Sequence, residues 1–346
     1  MVSLVSFLIV IGICVMSHEG GHFWAARFRN VLIHEYSFGM GPVIWSKKRG
    51  ETQYSCRAFP VGGFVRLEGE DAVEEEADPT CPPERSLANK KPWERILIIS
   101  AGATVNIALA WILMALYLSG YGVYNLEIPK IGVVMENTPA YTIGLKSGDI
   151  IRNIDGNELK GWRDIQKYIR AQDKVGDDFT ITVDRGGELI SFKTTIPKAQ
   201  NNGVRLLGVQ PAHERYPIIK AFATSFNYSW RMSVEIIKGL WLAVTGRVKA
   251  DVTGPVGIAA MAGDAIREGF WSFIAFLAII NLNLGLLNLL PFPALDGGRI
   301  IFILIEIITR RKVPARVETM IHYAGFVLLI ALILFVTGKD IYRLTH

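Results

Sequence analysis

The run VSLVSFLIVIGICVMSHEGGHFWAAR, residues 2–27, is apolar over most of its length and carries His18, Glu19 and His22 near its end. A helix that crosses a bilayer needs about 20 such residues. In a helix, positions 18 and 22 lie one turn apart on the same face, so both imidazoles can reach one metal ion. Glu19 stands beside them, placed to take a proton from a water held by that metal. Ionisable side chains are costly in hydrocarbon, and three within one turn mark a functional site. No basic residue precedes the run, and His18 and Glu19 stand where a small-residue cleavage site would be. It is therefore read as a retained helix and not as a cleaved leader.

The composition bounds the rest. With 346 residues, 50% of them hydrophobic, the chain is too apolar for an ordinary soluble protein and too charged to be embedded throughout. Its mean hydropathy of +0.29 says the same. The net charge is +5, but the basic residues form no aromatic-laced stripe, so no nucleic-acid partner is expected. Cys14, Cys56 and Cys81 are odd in number and lack a C-x-x-C spacing, which argues against a disulfide framework and against a cysteine zinc site.

Four segments are apolar enough to span a bilayer: 4–25, 96–119, 273–290 and 323–336. The connection between the first two is rich in Arg and Lys, and Arg310, Arg311, Lys312 and Arg316 lie between the last two. The positive-inside rule makes both connections cytoplasmic and leaves the central segment outside. The motif histidines then lie near the cytoplasmic end of the first helix.

Between the spans, residues 34–68 alternate apolar and polar side chains and are punctuated by Gly39, Gly41, Gly50, Gly62 and Gly63, which suits β-hairpins better than a helix. An edge of such a hairpin could pair with an unwound substrate, and it can enter the membrane only where protein or a water-filled cavity lines it. Residues 68–92, with Glu74-Glu75-Glu76 and several prolines, read as a solvated linker. Residues 128–197 read as a β-rich module with one helix, from the alternation of Phe179-Thr180-Ile181-Thr182-Val183, turns at Asp155-Gly156 and Gly186-Gly187, and an amphipathic stretch at 162–169. The run from Pro139-Ala140 through Gly144-Leu145-Lys146-Ser147-Gly148-Asp149 to Ile154-Asp155-Gly156 resembles a PDZ domain of the bacterial protease type, which implies peptide capture by strand addition. Residues 218–246 mix aromatics with Arg231, Glu235 and Lys238, as helices at the outer membrane surface do, though a spanning helix also fits.

Two histidines alone orient zinc poorly, and a catalytic site adds a third protein ligand. The strongest candidate is Asp296, in Asn288-Leu289-Leu290-Pro291-Phe292-Pro293-Ala294-Leu295-Asp296-Gly297-Gly298. Pro291 and Pro293 cannot continue a helix, so they free the backbone where a carboxylate arrives at membrane depth. Another carboxylate in its place stays open on this reading.

His18-Glu19-x-x-His22 together with Asn288-x-x-Pro291-x-Pro293-x-Leu295-Asp296-Gly297 resembles the site-2 protease family of intramembrane zinc metalloproteases. The resemblance extends over Lys91-Pro92-Trp93-Glu94-Arg95, the PDZ-like module, Gly254-Pro255-Val256-Gly257-Ile258-Ala259 and residues 281–298. It implies that His18, His22 and Asp296 bind Zn2+, that Glu19 is the catalytic base, and that Asn288, with Pro291 and Pro293, contacts substrate. It also implies a bacterial inner-membrane protein that cuts single-pass membrane segments, such as a trimmed anti-sigma factor or remnant signal peptides. Two departures are one PDZ-like module where the family's sigma-E-regulating member carries two in tandem, and Ala103 after Gly102 where related sequences usually carry proline.

The expected architecture is a polytopic α-helical membrane protein of about four transmembrane helices, with a membrane-associated β-hairpin region and one inserted PDZ-like α+β domain. In order, these are helix one (1–27), hairpin region and linker (28–95), helix two (96–120), PDZ-like domain (121–210), and interfacial helices with the Gly254-Pro255 segment (211–270). Helix three (271–298), a connection (299–322) and helix four (323–346) follow. Asn106, Asn281 and Asn283 are expected to hydrogen-bond between helices. His34, His213, His322 and His346 lack paired spacing and are expected not to bind metal. Rival readings are an anchored metallopeptidase that cuts soluble loops, and a non-catalytic zinc-binding adaptor that presents its PDZ-like module. The second is disfavoured by Glu19, since a structural zinc site needs no base.

Overall fold

The computed structural model describes residues 2–70, 80–171, 178–195, 207–247 and 253–345; the Glu74-Glu75-Glu76 run lies outside them. The chain divides into two compact units, Met1–Tyr117 with Lys220–His346, and Leu118–Ile219. The second interrupts the first in sequence, as expected of an inserted domain.

The first unit begins with α1 (Val2–Phe28), which leads into strands β1 (Ile33–Arg49) and β2 (Thr52–Leu67). The strands are long but not straight. Residues 33–38 face 63–67 on one side and 53–56 on the other, while 45–49 pair with 52–56. Glycines at positive φ make the corners: Gly39 at 84°, Gly41 at 87° and Gly62 at 86°. At Gly39 a side chain would also meet the Phe59 carbonyl, so only glycine fits. The ribbon lies along α1: the Tyr36 hydroxyl donates to the Met16 carbonyl at 3.3 Å. Phe23, Ala26, Val31, Ile33, Val65, Leu67, Leu87 and Ile98 bury together where α1, the ribbon and α2 (Pro92–Gly120) meet.

The segment read as a solvated linker differs from that expectation in its described part. Glu68 is 6% exposed and Leu87 is 4% exposed. Backbone bonds run from Glu68 N–H to the Leu32 carbonyl and from Leu87 N–H to the Glu68 carbonyl. The residues flanking the acidic run thus close onto the ribbon, which a reading of composition could not reveal.

The second unit contains β3 (Val123–Tyr124), β4 (Ile131–Val134), α3 (Pro139–Thr142), β5 (Ile150–Ile154), β6 (Asn157–Glu158) and α4 (Trp162–Ala171). Strands β7 (Asp178–Arg185), β8 (Glu188–Thr195), β9 (Val209–Pro211) and β10 (His213–Glu214) complete it. The main antiparallel sheet has the order β6-β5-β7-β8. Period-two alternation drives it: Phe179, Ile181 and Val183 of β7 are buried while Thr180 and Thr182 are not. Trp162, Ile165 and Ile169 of α4 join them in a core with Ile131, Ile151 and Ile154.

The chain returns to the first unit through α5 (Ile218–Val244), a helix of 27 residues over the stretch read as either interfacial or spanning. Then come α6 (Pro255–Glu268), α7 (Phe270–Asn288), α8 (Asp296–Thr309) and α9 (Ala315–Thr345). Val10 and Cys14 of α1 pack with Ala262 and Ala265 of α6 and Phe276 and Leu277 of α7. Among the described residues four helices are long and apolar enough to cross a membrane: Val2–Phe28, Pro92–Gly120, Phe270–Asn288 and Ala315–Arg343. Three boundaries differ from the sequence reading. Helix two starts at Pro92 and not at 96, because proline suits the first turn of a helix. Residues 299–309 of the connection read at 299–322 belong to α8, and α9 begins at Ala315 and not at 323. Helix α8 has 14 residues, a rise of about 21 Å, too short to register as a span.

Candidate metal centre

Helix α1 carries His18 and His22 on one face, as their spacing requires, and their Nε2 atoms lie 3.1 Å apart. Asp296, in the first turn of α8, brings its Oδ2 to 3.3 Å from His18 Nε2 and 3.6 Å from His22 Nε2. Among the described residues these are the His, Cys, Asp and Glu side chains that gather as a possible metal cluster. Their side chains are only 12%, 14% and 19% exposed.

The donor set fits zinc on three counts. Bonds of about 2.0–2.2 Å arranged tetrahedrally put donor atoms about 3.4 Å apart, close to the separations found here. The His22 Nδ1–H donates to the Ile98 carbonyl at 2.9 Å, which leaves the Nε2 lone pair pointing at the cluster. Asp296 Oδ2 is buried without a hydrogen-bond partner, as is His18 Nδ1. Lone pairs this close repel unless a cation lies among them.

The cluster has room because two helices cross tightly. A Cβ on Gly21 of α1 would collide with the backbone of Ala101 and Gly102 of α2. A Cβ on Gly102 would in turn strike His22 Nε2 and the His18 ring. One residue before His18, Ser17 Oγ lies 2.6 Å from Asn106 Oδ1 of α2 and 3.3 Å from Asn281 Oδ1 of α7, both residues fully buried. Asn281 also donates to the Leu277 carbonyl at 2.9 Å. The two amides therefore join helices as expected. Ser17 and Gly102 were not anticipated. Only their adjacency to motif residues hinted at them.

Glu19 points along α1 toward the ribbon, with its Cγ 3.7 Å from the Cβ position of Gly63 on β2. Asn288 is the last residue of α7 and is half-buried. Pro291 is exposed and Pro293 half-buried in the loop that joins α7 to α8. That loop folds tightly over the first turn of α8: a Cβ on Gly297 would strike the Leu289 and Leu290 carbonyls, and one on Gly298 the Phe292 carbonyl.

The other histidines stay away from the cluster. His34 pairs with Glu68 at 2.6 Å. His213 lies between the rings of Tyr121 and Tyr124, and burial lowers its affinity for a proton. His322 Nδ1 accepts from the Ala294 N–H at 3.0 Å. His346 lies outside the described residues. A cavity of about 690 Å³ borders the loop, lined by residues that include His34, Glu68, Ala294, Arg299 and His322.

Comparison with known proteins adds the following. The family model described as Peptidase family M50 matches residues 6–332. The zinc metalloprotease RasP of Geobacillus kaustophilus is 30% identical, over 99% of this chain and 98% of its own. The regulator of sigma-W protease RasP of Bacillus subtilis is 28% identical, over 99% of both chains. A Clostridium perfringens protein whose name places it with the zinc metalloproteases is 35% identical, over 96% of this chain and 97% of its own. The solved PDZ domain of an SdrC-like protein from Listeria monocytogenes is 26% identical over 24% of this chain and 85% of its own, with a TM-score of 0.22.

Proposed function

The chain belongs to peptidase family M50, and from that premise we propose how its own residues carry out proteolysis within the membrane. It is a zinc metalloprotease of the site-2 type and a membrane protein. His18, His22 and Asp296 hold the zinc, and Glu19 is the base. The observation that carries this reading is the convergence of three half-buried donors from two helices, with Glu19 next in sequence to His18.

When bound, zinc supplies Lewis acidity and a water acidified toward neutrality. Glu19, next to that site, would accept a proton from the attacking water and pass it to the leaving amine. Asn288 hydrogen-bonds the substrate backbone, and Pro291 and Pro293, in the α7–α8 loop, contact the substrate beside it.

A peptide bond inside an intact helix is hydrogen-bonded and shielded, so the substrate unwinds locally before it is cut. Gly63, close to Glu19, belongs to the β2 segment that offers a strand for the unwound peptide to pair with. Replacing helix-breaking Gly or Pro near the cut with Leu should therefore slow turnover; unchanged turnover would refute unwinding.

The substrates are single-pass membrane segments. One relative's name ties it to regulation of a sigma factor, which puts a trimmed anti-sigma factor first and remnant signal peptides second. The zinc site lies toward the cytoplasmic face of the bacterial inner membrane, and unit Leu118–Ile219 lies outside, where its PDZ-like groove excludes untrimmed proteins.

The test compares wild type with Glu19→Gln on a single-pass substrate in detergent, with and without a zinc chelator, mapping products by mass spectrometry. The expected result is a cut within the apolar segment, reduced about 10²–10⁴-fold by the substitution and abolished by the chelator. Cuts confined to soluble loops would favour an anchored peptidase. No cut in any substrate by the zinc-loaded protein would favour an adaptor.

A further inference from the structure

We propose that His322, on α9, is a positioning residue that holds the Asp296 loop in its ligating arrangement; this rests on Asp296 being a zinc ligand. Ala294 has a φ of 74°, which puts a residue with a side chain in the left-handed region that favours glycine. Such a conformation persists only where the surroundings over-determine it. Here it turns the Ala294 N–H away from the loop and toward α9, where that donor would be orphaned without an acceptor. His322 Nδ1 is the acceptor, at 3.0 Å.

A second contact fixes the same stretch. One turn along α9, a Cβ on Gly325 would lie 2.7 Å from the Pro293 carbonyl oxygen, so only a glycine lets the helix come so near. The His322 ring also packs against Phe302 of α8, with centroids 5.5 Å apart. Leu295, which precedes α8, offers no side-chain cap to fix where that helix begins. Position is therefore imposed from α9, through Pro293 and Ala294, on the residue two places later. That residue is Asp296.

The choice of histidine is itself informative. A neutral ring whose Nδ1 accepts must carry its proton on Nε2, and that buried Nε2 has no hydrogen-bond partner. A buried polar atom left unpaired is a cost, and leucine would avoid it. What leucine lacks is the acceptor for Ala294. Groups that orient metal ligands typically change metal affinity about 10–100-fold when removed, and His322 does so through the backbone instead of through the ligand side chain.

The experiment titrates the purified full-length chain, stripped of metal in detergent, with Zn2+ against a chromophoric chelator. His322→Leu should weaken zinc binding about 10–100-fold. His322→Asn, whose Oδ1 occupies the place of Nδ1, should recover most of that loss. Ala294→Gly in the His322→Leu background should also recover part of it, because glycine accepts the left-handed turn without the anchor. Asp296→Ala is the control. If it loses zinc while His322→Leu binds as wild type does, the positioning role is wrong and the ligand assignment stands. If Asp296→Ala binds zinc as tightly as wild type, the ligand assignment itself falls. Equal losses in His322→Leu and His322→Asn, with no recovery from Ala294→Gly, would make His322 a packing residue and overturn the inference.

Discussion

Gly102 tests the cluster from the side opposite its ligands. It touches no substrate and donates nothing, yet a single methyl there would occupy the space of His22 Nε2 and the His18 ring. Gly102→Ala should therefore lower zinc content, measured by atomic absorption after dialysis against a weak chelator, and lower turnover in proportion. Retention of full zinc with normal turnover would mean that α1 and α2 separate more easily than their crossing implies. His18 and His22 were legible in the sequence because a helix fixes the relation of i to i+4. Asp296 was a candidate because two prolines mark the place where a carboxylate can leave a helix. Ser17, Gly102 and the Ala294–His322 bond were not legible. Each depends on which helices cross and how closely, and no local pattern encodes that.

At the scale of elements, the ribbon and the metal cluster are separable. Strands β1 and β2 turn corners at glycines and carry exposed Met40, Val43, Ile44 and Phe59 around those corners. Gly39→Ala puts an L-residue at φ 84°, at a cost of about 1–2 kcal/mol, and drives its Cβ at the Phe59 carbonyl. The expected outcome is normal zinc content with a lower kcat/KM on a membrane substrate, read by the same product assay. A matched fall in zinc would show that the ribbon supports the cluster as well. The alternation along 34–68 made strands legible here. Their double-sided pairing was not, since register between distant segments is a property of the fold. Helix α8 escaped notice for a different reason: after two prolines and an aspartate, 14 residues look like the end of one span and not the start of another helix.

For the whole molecule, the division into two units predicts that acid destabilises one of them through an identifiable pair. Burial resists ionisation of Asp149, 1% exposed, but the Arg185 guanidinium at 2.7 and 2.8 Å and the Lys146 N–H at 2.8 Å overcome it. The carboxyl is held below its ordinary range, so the pair contributes fully above the unfolded value of about 3.9 and is lost as pH falls below it. Opening of β5 and β7, read as hydrogen exchange corrected for the intrinsic rate at each pH, should accelerate below about pH 4 in wild type. In Asp149→Asn it should be faster at neutral pH and should change less on acidification. An equal acid response in both proteins would remove Asp149 as the cause. Excising 118–219 should leave zinc binding intact and should let untrimmed substrates be cut. Loss of zinc would mean that the unit stabilises the membrane part. The four spans and the inserted module were legible from hydropathy and alternation, because each reports its own surroundings.

On the ligand set proposed above, the three zinc donors stand at positions 18, 22 and 296, the aspartate far along the sequence from the two histidines. Synthesis runs from one end of a chain to the other, so a nascent protein displays its paired imidazoles long before the aspartate emerges from the ribosome. A peptidase built this way is inert throughout its own insertion. It gains the power to cut neighbouring membrane segments only after Asp296 has been made, and a translation product interrupted before that residue carries none of that hazard.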